Sequence, residues 1–331
     1  MRNESNVFAS VGVVIIGRNE GDRLIRCLKS LTTQSNQLVY VDSASTDDSV
    51  NIARGLGAEV VSLDLTITFT AARARNEGFE RMRELYPQTE YVQFVDGDCE
   101  ISAGWLKSAV NFLTLHEDVA AVCGRRRERY PERTIYNMLC DIEWDTPLGE
   151  AKACGGDALM RVGAFENVKG FRANLIAGEE PELCVRLRAA GWKIWRLDEE
   201  MTLHDAAMTR FCQWWKRTLR SGYAYAEGAH LHGAPPERHR VKESRRTWIW
   251  SLGIPVVTIS LALLFGAWCL AVLLVYLVQI IRLAVGGTRS VKENWWQALF
   301  QVLGKFPEAV GQLKYFYNRL AGKTASLIEY K

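Results

Sequence analysis

A chain of 331 residues, 48% hydrophobic and 24% charged, can hold one large α/β domain or two ordinary ones with ample core, which argues against wholesale disorder. A net charge of +3 is too mild for a nucleic-acid-binding role, and no interleaved basic and aromatic motif supports one. The eight cysteines (Cys27, Cys99, Cys123, Cys140, Cys154, Cys184, Cys212 and Cys269) contain no CxxC pair and read as reduced, mostly buried thiols rather than a disulfide framework or a zinc site.

The opening MRNESNVFAS has no long apolar stretch, so no signal peptide is expected. Residues 11–16 form a continuous apolar run ending in Gly17, Arg18, Asn19 and Glu20, a buried strand and its C-terminal loop. Leu24, Leu28 and Leu31 then recur at helical spacing from Asp22. Residues 37–41 predict a second strand that runs into Asp42 and a polar loop, followed by a helix over 49–56 closed by Gly57. A third strand is expected at 59–63. A helix over 71–85 follows, capped by Thr70 and burying Ala71, Ala74, Gly78, Met82 and Leu85 on one face.

Tyr91, Val92, Phe94 and Val95 lead into Asp96, Gly97 and Asp98, a buried strand that ends in two carboxylates. Oxygen ligands on either side of a glycine suit a shared Mg²⁺ or Mn²⁺, although Asp-Gly is also a common surface turn. Alternating strands and helices predict a mostly parallel sheet covered on both sides, with ligands bound outside the carboxyl ends of its strands. Asn19, Glu20, Asp42, Asp96 and Asp98 all fall at such ends. No GxGxxG follows the first strand, and Tyr317 stands where a Walker motif ending at Gly322, Lys323 and Thr324 needs glycine, so dinucleotide and P-loop readings are poor.

After a helix at 103–115 and a strand at 119–123 comes a basic run with Arg125, Arg126, Arg127, Arg129 and Arg133, either a solvated loop or a phosphate or lipid-headgroup contact. Gly155, Gly156 and Asp157 form a loop where backbone can approach a ligand or simply turn. Glu179 and Glu180 open a helix that Gly191 closes, where acids favour the helix dipole and could supply a base. A strand at 192–197 precedes His204. Residues 211–225 set Trp214 and Trp215 among Lys216, Arg217 and Arg220, a core helix or a platform for a sugar or diphosphate.

Residues 248–284 are nearly uncharged, too long for one straight crossing of about 20 residues. Gly266 near the middle, and basic residues on both sides, predict a hairpin with two cytoplasmic ends; a single tilted helix is the alternative. The tail reads as interfacial helices broken at Pro307, or as helices packed on the soluble domain through the same residues.

In order, RNE (18–20), VDSASTDD (41–48), ARN (74–76), VDGD (95–98), CGGDALM (154–160), GEEPELCVRLRAAGW (178–192), His204 and QWWKR (213–217) closely resemble family 2 glycosyltransferases, most of all membrane-attached members from bacterial exopolysaccharide and cell-envelope clusters. The resemblance covers about residues 8–232. It implies a GT-A fold, a Rossmann-like nucleotide-diphospho-sugar transferase domain over 1–235. A basic linker (236–247), a transmembrane hairpin (248–284) and an amphipathic interfacial tail (285–331) would follow. It further implies a nucleotide-sugar donor, with UDP favoured by family frequency, and a cytoplasmic catalytic domain on the bacterial inner membrane, acting on a lipid-linked acceptor beside other envelope-polymer assembly proteins.

By the same resemblance Arg18, Asn19, Glu20, Asp42, Arg75 and Asp96 would hold the nucleotide-sugar. Asp98, with Asp96 and His204, would hold Mg²⁺ or Mn²⁺. Gly155, Gly156 and Asp157, with Gln213, Trp214, Trp215 and Arg217, would serve the acceptor and diphosphate. The family's base is usually the second acid of a Glu-Asp pair, here Glu180, with Glu179 a substitute. QWWKR departs from the family's QxxRW, which favours addition of one sugar over processive synthesis. The expected reaction inverts the anomeric centre by single displacement. Transfer directly to polyprenyl phosphate, and an inactive scaffold, are the competing readings.

Overall fold

A computed structural model of the protein describes residues 10–64 and 66–323. The signal-peptide expectation at residues 1–9, the Walker comparison at Thr324 and the end of the tail at 324–331 lie outside them. The chain forms two compact units that divide at Tyr130/Pro131, Cys140/Asp141 and Ala206/Ala207, whereas the motif-based domain runs to residue 235.

In the first unit, four apolar runs make parallel strands: β1 (Val11–Gly17), β2 (Leu38–Asp42), β3 (Glu59–Ser62) and β4 (Tyr91–Asp96). Five more complete a nine-stranded sheet: β5 (Cys99–Ile101), β6 (Val119–Glu128), β7 (Gly149–Ala151), β8 (Ala158–Arg161) and β9 (Lys193–His204). The order is β3-β2-β1-β4-β8-β6-β9-β5, with β7 on β9. The sheet is mixed rather than mostly parallel, because β8 runs antiparallel to both β4 and β6. Helices α1 (Asp22–Thr32), α2 (Ser49–Gly55), α3 (Ala71–Leu85) and α4 (Trp105–Leu115) fall close to their predicted bounds. On α1, Leu24, Leu28 and Leu31 are fully buried as expected. On α3, Thr70 Oγ1 accepts the N–H of Arg73 at 3.0 Å, the expected cap. Leu85 proves exposed while Arg73 and Arg75 are buried, so the helix seals two cations into the fold.

Four elements carried no clear signal: α5 (Ile135–Glu143), the short strands β7 and β8, and α6 (Val162–Asn167). The basic run is neither a loop nor solvated along its whole length. β6 continues through it to Glu128, with irregular register against β9 between Cys123 and Arg126. Arg125 is buried against Asp141 (3.2 Å), while Arg127 lies half exposed, paired with Glu200 (2.9 Å), and Arg133, beyond the strand, is exposed. β9 is likewise longer than predicted and carries His204 at its end; α7 (Glu179–Ala189) forms where expected.

The second unit is helical. α8 (Phe211–His232) and α12 (Lys305–Leu320) cross at two glycines: a Cβ on Gly222 would lie 2.0 Å from the Glu308 carbonyl oxygen, and one on Gly311 2.0 Å from that of Leu219. Only glycine permits that approach. Helices α9 (Val241–Phe265) and α10 (Ala267–Val285) are each long enough to cross a bilayer and contain an 18-residue stretch apolar enough to do so, of mean hydropathy 2.0 and 2.3. Gly266, at φ 105, separates them as predicted, while the expected linker is already helical from Val241. At Ile249–Gly253 the first helix widens to a π-turn, in which the Ile254 N–H reaches the Ile249 carbonyl. The next carbonyl in that register, Trp250, faces Pro255, which has no N–H to give. The Tyr276 hydroxyl on α10 donates to it instead.

The tail forms α11 (Val291–Leu303) and α12. It breaks at Gly304 rather than Pro307, because proline is tolerated in the first turn of a helix, where its missing N–H costs nothing. One face of these helices packs inside the unit, with Phe300 edge-on to Trp214 at 4.7 Å. Leu313, Phe316 and Tyr317 stay exposed.

Candidate functional site

The carboxyl ends of β1, β2 and β4 lie side by side, with Gly17 level with Asp42 and Ile16 with Asp96. Gly97 N–H donates to the Ile16 carbonyl at 2.8 Å, and a Cβ on Gly97 would sit 3.2 Å from that oxygen, so a side chain would crowd the turn between the two acids. This register brings Asn19, Glu20, Asp42 and Asp96 to one edge. Asp42 accepts from Tyr40 Oη (3.2 Å) and Ser45 N–H (2.9 Å), which fixes the loop after β2. Asn19, at φ 55, bridges to that loop through Thr46 N–H (2.7 Å). Glu20 pairs with Arg23 (2.9 Å), and the exposed Arg18 guanidinium lies over the Phe69 ring at 5.7 Å.

From this edge a chain of charges runs inward. Arg75 Nη2 meets Asp96 Oδ1 at 2.8 Å and its Nη1 meets Glu179 Oε1 at 2.7 Å, so one buried guanidinium joins the end of β4 to the start of α7. Burial works to depress Arg75, but Asp96 and then Glu179 outweigh it and hold the cation firmly charged. Arg126 gives Nε to Asp157 Oδ2 (2.8 Å), reaches Asp96 Oδ2 (3.5 Å) and lies over the Trp144 ring at 5.3 Å. Asp157 is fully buried and also accepts from Thr202 Oγ1 (3.1 Å) and Asp96 N–H (3.2 Å). Its partners offset the cost of sealing a carboxylate from water.

Asp98 is buried beside His204, which the pairing of β5 with β9 sets opposite Cys99. His204 Nε2 lies 3.1 Å from Asp98 Oδ2, and Trp144 packs on its ring at 4.7 Å. Burial, reinforced by Arg126, pushes His204 down to about 4, so the imidazole is neutral near pH 7 and the contact is a hydrogen bond rather than an ion pair. Its Nδ1 is buried without a partner. In that hydrogen bond Nε2–H donates to Asp98; a cation shared with Asp98 would take the Nε2 lone pair instead, with the ring proton moved to Nδ1. Carboxylate oxygen with neutral imidazole nitrogen is a donor set that fits Mn²⁺ or Mg²⁺.

Glu180, on the first turn of α7, faces different company. Its Oε1 accepts from Cys154 N–H (2.6 Å), Cys154 Sγ (3.2 Å) and Cys184 Sγ (3.0 Å). Gly155 and Gly156 continue from Cys154 toward Asp157, and Gly155 takes φ 84. Gln213, Trp214, Trp215 and Arg217 belong to α8 in the other unit. There Gln213 Oε1 caps the helix by accepting Arg210 N–H (2.9 Å), and Trp214 is a buried core aromatic. Sequence reasoning missed Trp144, Thr202 and the two cysteines as members of the site, and read Arg126 only as part of a solvated loop or of a phosphate or lipid-headgroup contact. Trp144 and Thr202 lie in no motif, while both cysteines lay inside motifs already noted.

Residues 12–167 match the model for Glycosyl transferase family 2. The chain carries a family 2 glycosyltransferase domain. The O-antigen chain rhamnosyltransferase WbaN of Salmonella anatum is 26% identical over 188 residues, 53% of this chain and 58% of WbaN. An uncharacterized glycosyltransferase of Rickettsia conorii, RC0292, is 43% identical over 51 residues, 15% of this chain and 18% of its own. The chain thus spans little more than half the length of WbaN and much less of the rickettsial protein. Among solved structures, mannosyltransferase PcManGT from Pyrobaculum calidifontis, in complex with GDP-Man and Mn²⁺, superimposes with a TM-score of 0.62 at 18% identity, over 92% of this chain and 87% of its own. S. aureus TarS 1-349 gives 0.51 at 16% identity, over 95% and 92%. These likenesses show the GT-A fold.

Proposed function

We propose that the domain transfers one sugar from a nucleotide-sugar to a hydroxyl of a lipid-linked or envelope-glycan acceptor, inverting the anomeric centre. The observation that supports this reading is Arg75, whose guanidinium holds both Asp96 of the two-acid turn and Glu179, the neighbour of Glu180, and so ties the end of β4 to the start of α7. Glu20 and Asp42 meet the nucleoside at the strand ends, with Arg18 and Asn19 beside them. Arg75 and Arg126 supply fixed positive charge toward the diphosphate. Asp98 and His204, with Asp96, would hold Mg²⁺ or Mn²⁺, which when bound offsets charge on the departing nucleoside diphosphate. Gly155 and Gly156 leave room for backbone to approach the donor or acceptor.

Glu180 takes the proton of the acceptor hydroxyl on Oε2 as that oxygen attacks the anomeric carbon from the face opposite the leaving group. One base suffices for a single displacement. Gln213, Trp214, Trp215 and Arg217 remain acceptor-side assignments by motif alone. Arg126 is committed to Asp157 and Asp96, which favours a donor-side role over capture of a polyprenyl phosphate.

Helices α9 and α10 support attachment to the bacterial inner membrane. Leu263 and Leu264 expose 81% and 75% of their surface, and Arg245 and Arg246 stand before the apolar span, with Arg282 and Arg289 toward and beyond its end. Positive charge on both flanks fits a hairpin with two cytoplasmic ends, which keeps lipid-linked acceptors at high effective concentration. The test offers detergent-purified protein UDP, GDP and dTDP sugars with bacterial lipid extract and Mg²⁺ or Mn²⁺. Consumption of one donor into lipid is expected. Donor binding without transfer to any lipid would overturn the reading and favour a scaffold.

A further inference from the structure

Resting on the reading of Glu180 as the base, we propose that Cys154 and Cys184 are positioning residues, a pair of thiol donors that clamp one oxygen of the Glu180 carboxylate and leave the other for the acceptor proton. Cys154 comes from the loop that continues into Gly155, Gly156 and Asp157, and Cys184 lies one turn beyond Glu180 on α7. Their sulfurs are 3.6 Å apart, and Glu180 Oε1 lies 3.2 Å from one and 3.0 Å from the other. With the Cys154 N–H at 2.6 Å, three donors converge on Oε1. Oε2 makes no hydrogen bond among the described residues and is not fully sealed, on a side chain that is otherwise buried.

Both thiols remain protonated near neutral pH. The hydrogen bond with Cys184, together with burial, holds Cys154 well above the ordinary thiol range. The bond from Cys154 lowers Cys184, but burial and Glu180 outweigh it, and that thiol is also raised. As S–H groups they donate, whereas thiolates would repel the carboxylate. The trio therefore works as a hydrogen-bond clamp rather than a soft-metal centre: its oxygen already holds a backbone N–H, and buried neutral thiols are inert.

The clamp answers a problem of length. Glutamate carries one more methylene than the aspartate usual at this position and swings through one more torsion. Fixing Oε1 fixes where Oε2 points, and a misplacement of about 1 Å at a reacting group can cost roughly a hundredfold in rate. Thiols are weak donors, so they orient the carboxylate without binding it as tightly as hydroxyls would.

The experiment compares kcat and donor KM for Cys184→Ala, Cys154→Ala, Cys184→Ser and Glu180→Gln in the full chain, with thermal midpoints and nucleotide-sugar binding measured beside them. The alanine variants are expected to lose kcat about ten- to a hundredfold with donor KM within about twofold, and Cys184→Ser, which restores a donor, to recover most of the loss. Cys184→Val, close in volume and without a donor, stands in if an alanine variant does not fold, with the same loss expected. Wild-type kcat in folded Cys184→Ala or Cys184→Val, beside an inactive Glu180→Gln, overturns the clamp alone. An active Glu180→Gln overturns the base assignment and the clamp with it.

Discussion

Inside the first unit, beneath the carboxyl ends of its strands, Arg75, Asp157 and Glu179 are nearly sealed from water, and each is matched to an opposite charge within 3 Å. The second unit does the reverse along α9 and α10, where Trp268 exposes 75% of its surface and Leu263 still more. Hidden charges cost free energy unless they are paired, as these are, whereas displayed apolar side chains can be compensated only from outside the chain. In the first unit the compensation comes from within, from the opposed charges themselves. In the second, the membrane proposed above would supply it.

Breaking the charge network tests this contrast most severely. Arg126→Ala strands Asp157, which is fully buried, and is expected to cost the first unit about 3–5 kcal/mol, measured as a lowered urea midpoint. In the helical unit the tightest point is a backbone crossing instead of a charge. Gly311→Ala drives a Cβ toward the Leu219 carbonyl and is expected to cost about 1–3 kcal/mol, read from the unfolding of that unit.

The helical unit also holds one acid without an apparent counter-charge. Burial raises the Glu227 carboxyl on α8 to about 7, and its Oε2 is buried without a partner. A carboxyl whose folded pKa exceeds its unfolded value binds protons more tightly when folded. Its contribution is therefore present below about pH 4.5 and is lost as pH rises toward 7. Glu227→Gln is expected to flatten this fall and to raise the thermal midpoint at pH 8 relative to wild type, by about 1–2 kcal/mol in stability. The smallest change expected is in Tyr276→Phe, which deprives the Trp250 carbonyl of its donor where Pro255 gives none. About 1 kcal/mol of hairpin stability should go, seen as faster hydrogen exchange at the π-turn.

The strands β1 to β4 and helix α3 were legible because their signals are local: apolar runs that stop at polar residues, a threonine cap, a glycine stop. The hairpin was legible for the same reason, with Gly266 in a long uncharged span. β6 was legible only to Cys123, since consecutive arginines look solvated until Asp141, Asp157 and Glu200, far away in sequence, are seen to pair with them. Two-acid turn, acid pair and histidine all carried motif signals. Which oxygen of Glu180 is held, and by what, could not be read, because the cysteines and the carboxylate meet only when loop and helix pack together. Pro307 misled because a break and a first helical turn both welcome proline.

The central claim is that Asp98 and Glu180 do chemistry at a nucleotide-sugar site. Release of nucleoside diphosphate from the preferred donor, followed during Mn²⁺ titration in wild type, Asp98→Asn and Glu180→Gln, tests it most directly. Wild-type turnover should rise with Mn²⁺, while each variant falls at least a hundredfold, Glu180→Gln with donor affinity intact. Turnover in either variant equal to that of wild type would contradict the account.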